Sequence, residues 1–170
     1  MNEVTLKLAK TQDAELIHRM KYEAFLPIYE KYQDDEISPT KEKIDKVIYQ
    51  LTHPGSEYYL ILVDGEYAGA VRVARKWILR GEEKVLLPDV NFISPIFILP
   101  RFQNRGIGQE VMGQLFEKYS ETSAWKLDTI KQEVGNCHFY ERCGFVRVGE
   151  EKWVNERMSL VDYEKVMKSE

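Results

Sequence analysis

The sequence predicts an α/β (α+β) fold, a mixed sheet of about six to seven strands flanked by about four helices. Three observations lead there. Strand-like and helix-like apolar periods alternate along the 170 residues. An Asp64-Gly65 pair separates two long runs rich in aromatic and β-branched residues, the signature of an antiparallel hairpin. Further on, an apolar run, a basic glycine-containing loop, a helical stripe and a second strand-like run follow one another. A right-handed crossover of that kind makes its two strands parallel.

Each element has its own local reason. Glu3 to Ala9 alternates Val4, Leu6 and Leu8 with polar residues, as a half-buried strand does. Thr11 is placed to cap a helix carrying Leu16, Ile17, Met20 and Ala24, which Pro27 should end or kink. Tyr29 to Glu36 fits neither period and reads as a loop or short irregular helix. Ser38-Pro39 supplies an N-cap and a first-turn proline for a stripe of Ile44, Val47, Ile48 and Leu51, which His53-Pro54-Gly55 stops. Tyr58 to Val63 and Tyr67 to Leu79 form the hairpin, a turn follows at Arg80-Gly81-Glu82, and Val90 to Leu99 is the next strand. Pro95 cannot donate to a ladder, so it marks an edge, a break or a bulge there. Ile107, Val111, Met112, Leu115, Phe116 and Tyr119 define a helix, Trp125 to Ile130 a strand, and Asn136 to Cys143 a helix stopped by Gly144. Phe145 to Val148 and Trp153 to Leu160 close the chain as an antiparallel pair, with a polar tail beyond Asp162. Trp77 and Trp153 are expected to pack in the sheet.

A chain of this length suits one well-buried core, so residues 1–170 are read as a single domain. A formal net charge of −4 and a pI near 5.6 give no global reason to expect nucleic acid or an anionic membrane as partner. The first residues lack a basic stretch followed by a long apolar one, and no run elsewhere approaches a membrane span, so a soluble, cytoplasmic protein is expected. Cys137 and Cys143 lie in one predicted helix at a spacing that suits neither a disulfide nor a metal motif, and both read as buried thiols. His18, His53 and His138 fall in different elements, and no metal site is expected.

The chemistry gathers at Phe97-Ile98-Leu99-Pro100-Arg101-Phe102-Gln103-Asn104-Arg105-Gly106-Ile107-Gly108. Backbone N–H groups at a helix start have no internal partners, and glycines let a phosphate approach them closely, so a pyrophosphate fits. No Gly-Lys-Ser/Thr follows, which excludes a P-loop, and Val111 stands where a dinucleotide fingerprint needs Gly or Ala. Gly106 and Gly108 would equally shape a tight turn. The segment resembles the Q/R-x-x-G-x-G/A acyl-CoA signature of the GNAT family of N-acetyltransferases. Gln103, Gly106 and Gly108 stand at the signature's positions, Arg105 lies inside the loop, and Asn104 occupies a spot often filled by glycine or a basic residue.

Asn136-Cys137-His138-Phe139-Tyr140-Glu141-Arg142-Cys143-Gly144-Phe145 resembles the family's second signature, through Asn136, Tyr140, Gly144 and Phe145. Residues four apart share a helix face, so Asn136 and Tyr140 point together, while Phe139 and Cys143 form a neighbouring face suited to the core. The resemblance implies a GNAT-like splayed mixed sheet, acetyl-CoA as acetyl-donor cosubstrate and no metal. It implies that Gln103, Asn104, Arg105, Gly106, Ile107, Gly108 and Gln109 bind the cofactor. It places backbone N–H groups of Ile96, Phe97 and Ile98, beside a bulge near Ser94-Pro95-Ile96, on the acetyl carbonyl. Asn136 would bond the pantetheine arm or a nearby backbone group. Tyr140 would stand beside the thioester sulfur and protonate the departing thiolate, for which a tyrosine of pKa about 10 is suited.

The resemblance also implies an acceptor that is a primary amine, of a small molecule or a protein, attacking the thioester directly. Asp89, Asn91, Phe92 at one plausible base position, Asp128 and Glu133 are the positions from which its proton could be taken, and none is assigned. Carboxylates and rings in Tyr29 to Glu36 suit a cationic amine by charge and cation–π attraction, or simply form a solvated face. The closing strands could supply a homodimer interface. The alternative is a non-catalytic acyl-CoA-binding sensor, against which Tyr140 speaks, since a sensor needs no acid beside the sulfur.

Overall fold

The computed structural model describes residues 2–167, apart from the side chains of 76, 77, 78 and 88. In chain order the elements are β1 (Val4–Leu8), α1 (Ala14–Tyr32), α2 (Ile44–Thr52), β2 (Ser56–Val63), β3 (Glu66–Arg80), β4 (Glu83–Ile98), α3 (Ile107–Lys118), β5 (Ala124–Ile130), α4 (Val134–Arg142), β6 (Val146–Trp153) and β7 (Ser159–Val166). The strands form one seven-stranded mixed sheet in the order β1-β2-β3-β4-β5-β7-β6. The predicted order of elements holds throughout. Two compact units are present, one of residues up to Arg72 with Pro95–Gln114, the other of Val73–Ser94 with Leu115 onward.

In the first unit β1 runs antiparallel to β2, Val4 opposite Val63 through Leu8 opposite Tyr59. The hairpin turn to β3 puts Asp64 at φ 50° and Gly65 at φ 83°, the left-handed pair that a two-residue loop needs. Thr11 does not cap α1. Thr11–Asp13 forms a single 3-10 turn, tied by the Lys10 N–H donating to the Asp13 carboxylate at 2.9 Å, and the helix begins after it. Pro27 does not end α1 either. The helix runs on to Tyr32, held by buried Met20, Lys21, Ala24 and Tyr32, and stops where Gln33 turns left-handed at φ 53°. Packing outweighs the one hydrogen bond a proline removes. Ser38 caps as expected, accepting from the Thr40 N–H at 3.2 Å, but its turn ends at Lys41 and α2 starts separately at Ile44. On α2, Ile48 is 40% exposed and Gln50 takes the buried place beside Val47.

One close approach in this unit admits only glycine. A Cβ built on Gly69 of β3 would stand 2.0 Å from the Phe97 carbonyl oxygen and 3.0 Å from the Ile98 Cα of β4. Gly69→Ala therefore forces the strands apart. Its expected cost is about 1–3 kcal/mol, the usual range for overpacking, seen as a fall in Tm of about 2–4 °C per kcal/mol. An unchanged Tm would show that β4 gives way freely at Phe97.

In the second unit β4 and β5 are parallel, Val90–Phe92 against Ala124–Lys126. That ladder stops at Phe92, two residues before Ser94-Pro95, whereas β5 stays paired with β7 as far as Ile130 opposite Leu160. Trp125 is fully buried and meets Phe116 and Tyr119 edge-on, at 5.6 and 5.7 Å between ring centroids. Gly144, at φ 94°, ends α4, and the Lys165 ammonium donates to the Cys143 carbonyl at 2.7 Å while standing 4.4 Å from the Phe116 ring centroid. A cation on the last carbonyls of a helix suits its macrodipole.

The closing pair is antiparallel as expected, with different bounds. Trp153 belongs to β6 and is 63% exposed, so it does not pack in the sheet. The segment read as a polar tail is the second half of β7, where Val161 and Tyr163 are buried while Asp162 and Glu164 occupy the other face. The pairing shifts register between Val148 and Lys152 on β6. The expectation for Trp77 falls on a side chain outside the described residues.

Candidate active site

The glycine loop is built to present backbone donors. Pro100–Phe102 turns once as a 3-10 helix, buried Phe102 anchors it, and Asn104 and Gly106 then take left-handed φ of 61° and 76°. Alternating backbone hand curls successive N–H groups into a concave, anion-accepting nest. Among the described residues, no N–H from Asn104 through Gln109 finds an acceptor in the chain, and the first helical bond of α3 is the Glu110 N–H to the Gly106 carbonyl at 3.3 Å. Those donors sit at the positive end of a helix, where a phosphate oxygen is the natural partner.

Side chains of the loop serve to hold it. Gln103 donates through Nε2 to the Ile98 carbonyl at 2.9 Å, tying the loop back to the end of β4. Arg105 donates to the Asn2 Oδ1 at 2.7 Å. Its guanidinium and that of Arg101 lie 5.3 and 5.0 Å from the Phe102 ring centroid. The sequence singles out Arg105 but holds no sign of Asn2, because a contact across 103 residues has no local signature. Phe97 is buried, with its ring 5.9 Å edge-on to Phe25 of α1, and Leu99 donates its N–H to the Ala68 carbonyl at 2.8 Å. Ile96, Phe97 and Ile98 thus stand on the β4 segment that Gly69 allows to come close.

On α4 the buried face is Cys137 and Tyr140, three apart, and not Phe139 with Cys143. Asn136 is exposed. The Tyr140 ring packs on Phe139, Phe145 and Tyr163, with centroids 5.1, 6.0 and 6.2 Å away, and the residue is 8% exposed. Its hydroxyl makes no hydrogen bond to any other described residue. Burial, and after it the negative charge of Asp128, pushes its pKa well above the usual tyrosine value. The Tyr140 hydroxyl therefore keeps its proton beyond the ordinary tyrosine range. Cys143 is only partly buried, and its thiol is also pushed up by burial, which keeps it unreactive.

The candidate proton acceptors separate by their partners. Asp89 accepts from the Ser123 hydroxyl at 3.0 Å, and Asn91, buried, donates to the Thr122 hydroxyl at 2.7 Å. Glu133 accepts the Asn136 and Cys137 N–H groups on its carbonyl, opening α4. Asp128 stands on the exposed side of β5 directly opposite Asp162 of β7. The strand register that brings Asp162 there was not legible in the sequence.

In the acidic segment Tyr29–Tyr32 is the last turn of α1 and not a loop, and its two aspartates are already held. Asp34 is buried and accepts from the Glu36 and Ile37 N–H groups at 2.9 and 3.2 Å, while Asp35 accepts from the Tyr29 hydroxyl at 2.5 Å. Lys41 of the chain itself stands over the Tyr29 ring at 4.5 Å. His18 meets the Glu42 carbonyl at 2.9 Å and His53 stacks on Tyr49. Among the described residues no three or more His, Cys, Asp or Glu gather as a metal site, and no helix is long and apolar enough to cross a membrane.

These elements in this order, around a seven-stranded sheet with donors at the start of α3, make up the α+β fold of acetyltransferases. The chain belongs to the acetyltransferase (GNAT) family, whose family model matches residues 18–145. An uncharacterized N-acetyltransferase in the pepI 3' region of Lactobacillus delbrueckii subsp. lactis is 27% identical over 113 residues, 65% of this chain and 63% of that protein, so the match spans less than two thirds of its relative. An acetyltransferase from Thermus thermophilus superposes with a TM-score of 0.69 at 16% identity, over 96% of this chain and 97% of that one. A streptothricin acetyltransferase homologue from Bacillus anthracis, solved with acetyl coenzyme A, gives a TM-score of 0.67 at 15% identity, over 98% and 99%.

Proposed function

We propose that this chain transfers the acetyl group of acetyl-CoA to a primary amine of a small molecule or protein, by direct attack of the amine on the thioester. The reading rests on the N–H array from Asn104 through Gln109, in a chain of this family: it suits a pyrophosphate and has no acceptor of its own. Gln103 and Arg105 hold that array in shape. Ile96, Phe97 and Ile98 supply backbone donors to the acetyl oxygen, whose developing charge they stabilise. Asn136 bonds the pantetheine arm and Tyr140 gives its proton to the departing sulfur. Because burial makes Tyr140 a weaker acid than an ordinary tyrosine, its proton moves as the C–S bond breaks and not before.

Mass spectrometry of a pooled panel of polyamines, aminoglycosides, amino acids and peptides, incubated with acetyl-CoA and the protein, is the test. An acetylated panel member is expected. Acetyl-CoA bound but left intact with every amine would favour the sensor instead. Gly106→Ala tests the array separately. Nothing lies within 4 Å of a Cβ there, so no clash follows, only the strain of φ 76°, about 1–2 kcal/mol. Relief of that strain turns donors away from the phosphate. Calorimetry should show acetyl-CoA bound about tenfold more weakly, the worth of one hydrogen bond to a charged group. Unchanged affinity would remove the Gly106 turn from the cofactor site.

A further inference from the structure

We propose that Asn2 is a positioning residue of the cofactor loop, fixing the Arg105 guanidinium so that its remaining N–H groups meet a phosphate of acetyl-CoA. This rests on the cofactor part of the reading above and not on the transfer step. Arg105 lies between Asn104 and Gly106, the two left-handed residues of the nest, so its backbone is part of the cradle. An exposed arginine in that place would sample many rotamers, and ordering it as the cofactor arrives would cost affinity. Two contacts remove that freedom in advance. The guanidinium stands 5.3 Å from the centroid of the buried Phe102 ring and donates to the Asn2 Oδ1 at 2.7 Å.

The kind of acceptor matters. Arg101 also stands against the Phe102 ring, at 5.0 Å, but it pairs with the Glu23 carboxylate of α1 at 3.7 Å. Its charge is met within the chain. Arg105 pairs with no carboxylate among the described residues, and Asn2 offers it a neutral amide oxygen instead. A neutral acceptor fixes the direction of the fork and leaves its positive charge and its other N–H groups for an oxyanion. The segment that presents Asn2 is itself fastened. Glu3 donates its N–H to the Asp64 carboxylate at 2.8 Å and accepts the Asp64 N–H on its carbonyl at 2.8 Å. The Val4 carbonyl accepts from the Gln114 Nε2 of α3 at 2.8 Å. Asn2 is thus held against the same helix whose start carries the backbone donors, and the two move as one frame.

Calorimetry with acetyl-CoA on wild type, Asn2→Ala, Arg105→Ala and the double variant is the test. Asn2→Ala should weaken acetyl-CoA about fivefold, the cost of ordering one long side chain on binding. Arg105→Ala should weaken it about tenfold or more, the loss of a bond to a charged group. The double variant should bind as Arg105→Ala alone does, because Asn2 acts only through that guanidinium. Asn2→Gln, which keeps the amide oxygen, should recover part of the loss. On the panel amine that wild type acetylates fastest, Asn2→Ala should raise KM for acetyl-CoA in step with the weaker binding and leave kcat unchanged. It should also unfold at the wild-type temperature, since the bond it removes is exposed. Wild-type affinity in Asn2→Ala, or a loss as large in the Arg105→Ala background as in wild type, overturns the assignment. A wild type that fails to bind acetyl-CoA removes the underlying reading and this one with it, whereas binding without transfer to any amine fails the transfer reading alone.

Discussion

Replacing Tyr140 by Phe is expected to lower kcat roughly 10²-fold while leaving acetyl-CoA affinity nearly unchanged. A factor of that size is about 2.7 kcal/mol of transition-state stabilisation. The substitution deletes only a hydroxyl that bonds to no other described residue, so the ring keeps its contacts with Phe139, Phe145 and Tyr163. Stability should therefore stay within about 0.5 kcal/mol of wild type, which separates loss of a proton donor from loss of packing. The pH profile sharpens the point. Burial holds the Tyr140 proton on well past the ordinary tyrosine range, so wild type should show no fall in kcat from its ionisation up to about pH 10. Steady-state kinetics over that range checks both statements, and a Phe variant of full turnover would take Tyr140 out of the mechanism.

Glu42→Gln should be the most destabilising polar substitution in the first unit, at about 3–5 kcal/mol by urea unfolding. Lys21 on α1 has a side chain 3% exposed, and its ammonium donates to the Glu42 carboxylate at 2.5 Å. Lys46 donates to the other carboxylate oxygen at 2.7 Å. Loss of that carboxylate strands the Lys21 charge without a counter-ion in a buried place. Against a total stability of about 5–15 kcal/mol this is a large fraction. The pH dependence follows from the signs. Burial alone would raise the pKa of Glu42, but the hydrogen bonds from Lys21 and Lys46 outweigh it and hold the carboxyl below its usual value. Its contribution is complete above about pH 4.3 and is lost as the pH falls through the depressed value. Burial lowers Lys21 in spite of Glu42, so in the variant the deficit should narrow as rising pH lets Lys21 discharge. A control in Lys46→Ala, whose own side chain is 54% exposed, should cost no more than about 1 kcal/mol.

Much of this arrangement was legible because its signals are local. Asp64-Gly65 names its own turn type, and the glycine loop names a helix start, since both depend on backbone hand at one or two residues. The crossover from β4 through α3 to β5 followed from handedness alone. What could not be read depends on which face of an element is covered. Asp162, Glu164 and Lys165 made β7 look like a polar tail, although Val161 and Tyr163 alternate beneath them. On α4 the buried face fell on Cys137 and Tyr140 because β7 offers Tyr163 to pack against, a partner 22 or more residues away. Trp153 falls in a strand-like run and was expected to pack in the sheet, yet β6 is an edge strand and leaves it in water. The charge relations are of the same kind. Lys21 with Glu42 and Asp128 with Asp162 appear only once strand register and helix packing are set.

Direct transfer of acetyl from acetyl-CoA to an amine is open to intact-mass spectrometry of protein, acceptor and coenzyme through a single turnover. One acetylated amine is expected for each CoA released, with no CoA release without amine and a protein mass that never gains an acetyl group. An acetylated protein formed before the amine is added, or acetyl-CoA that binds and is never consumed, would contradict it.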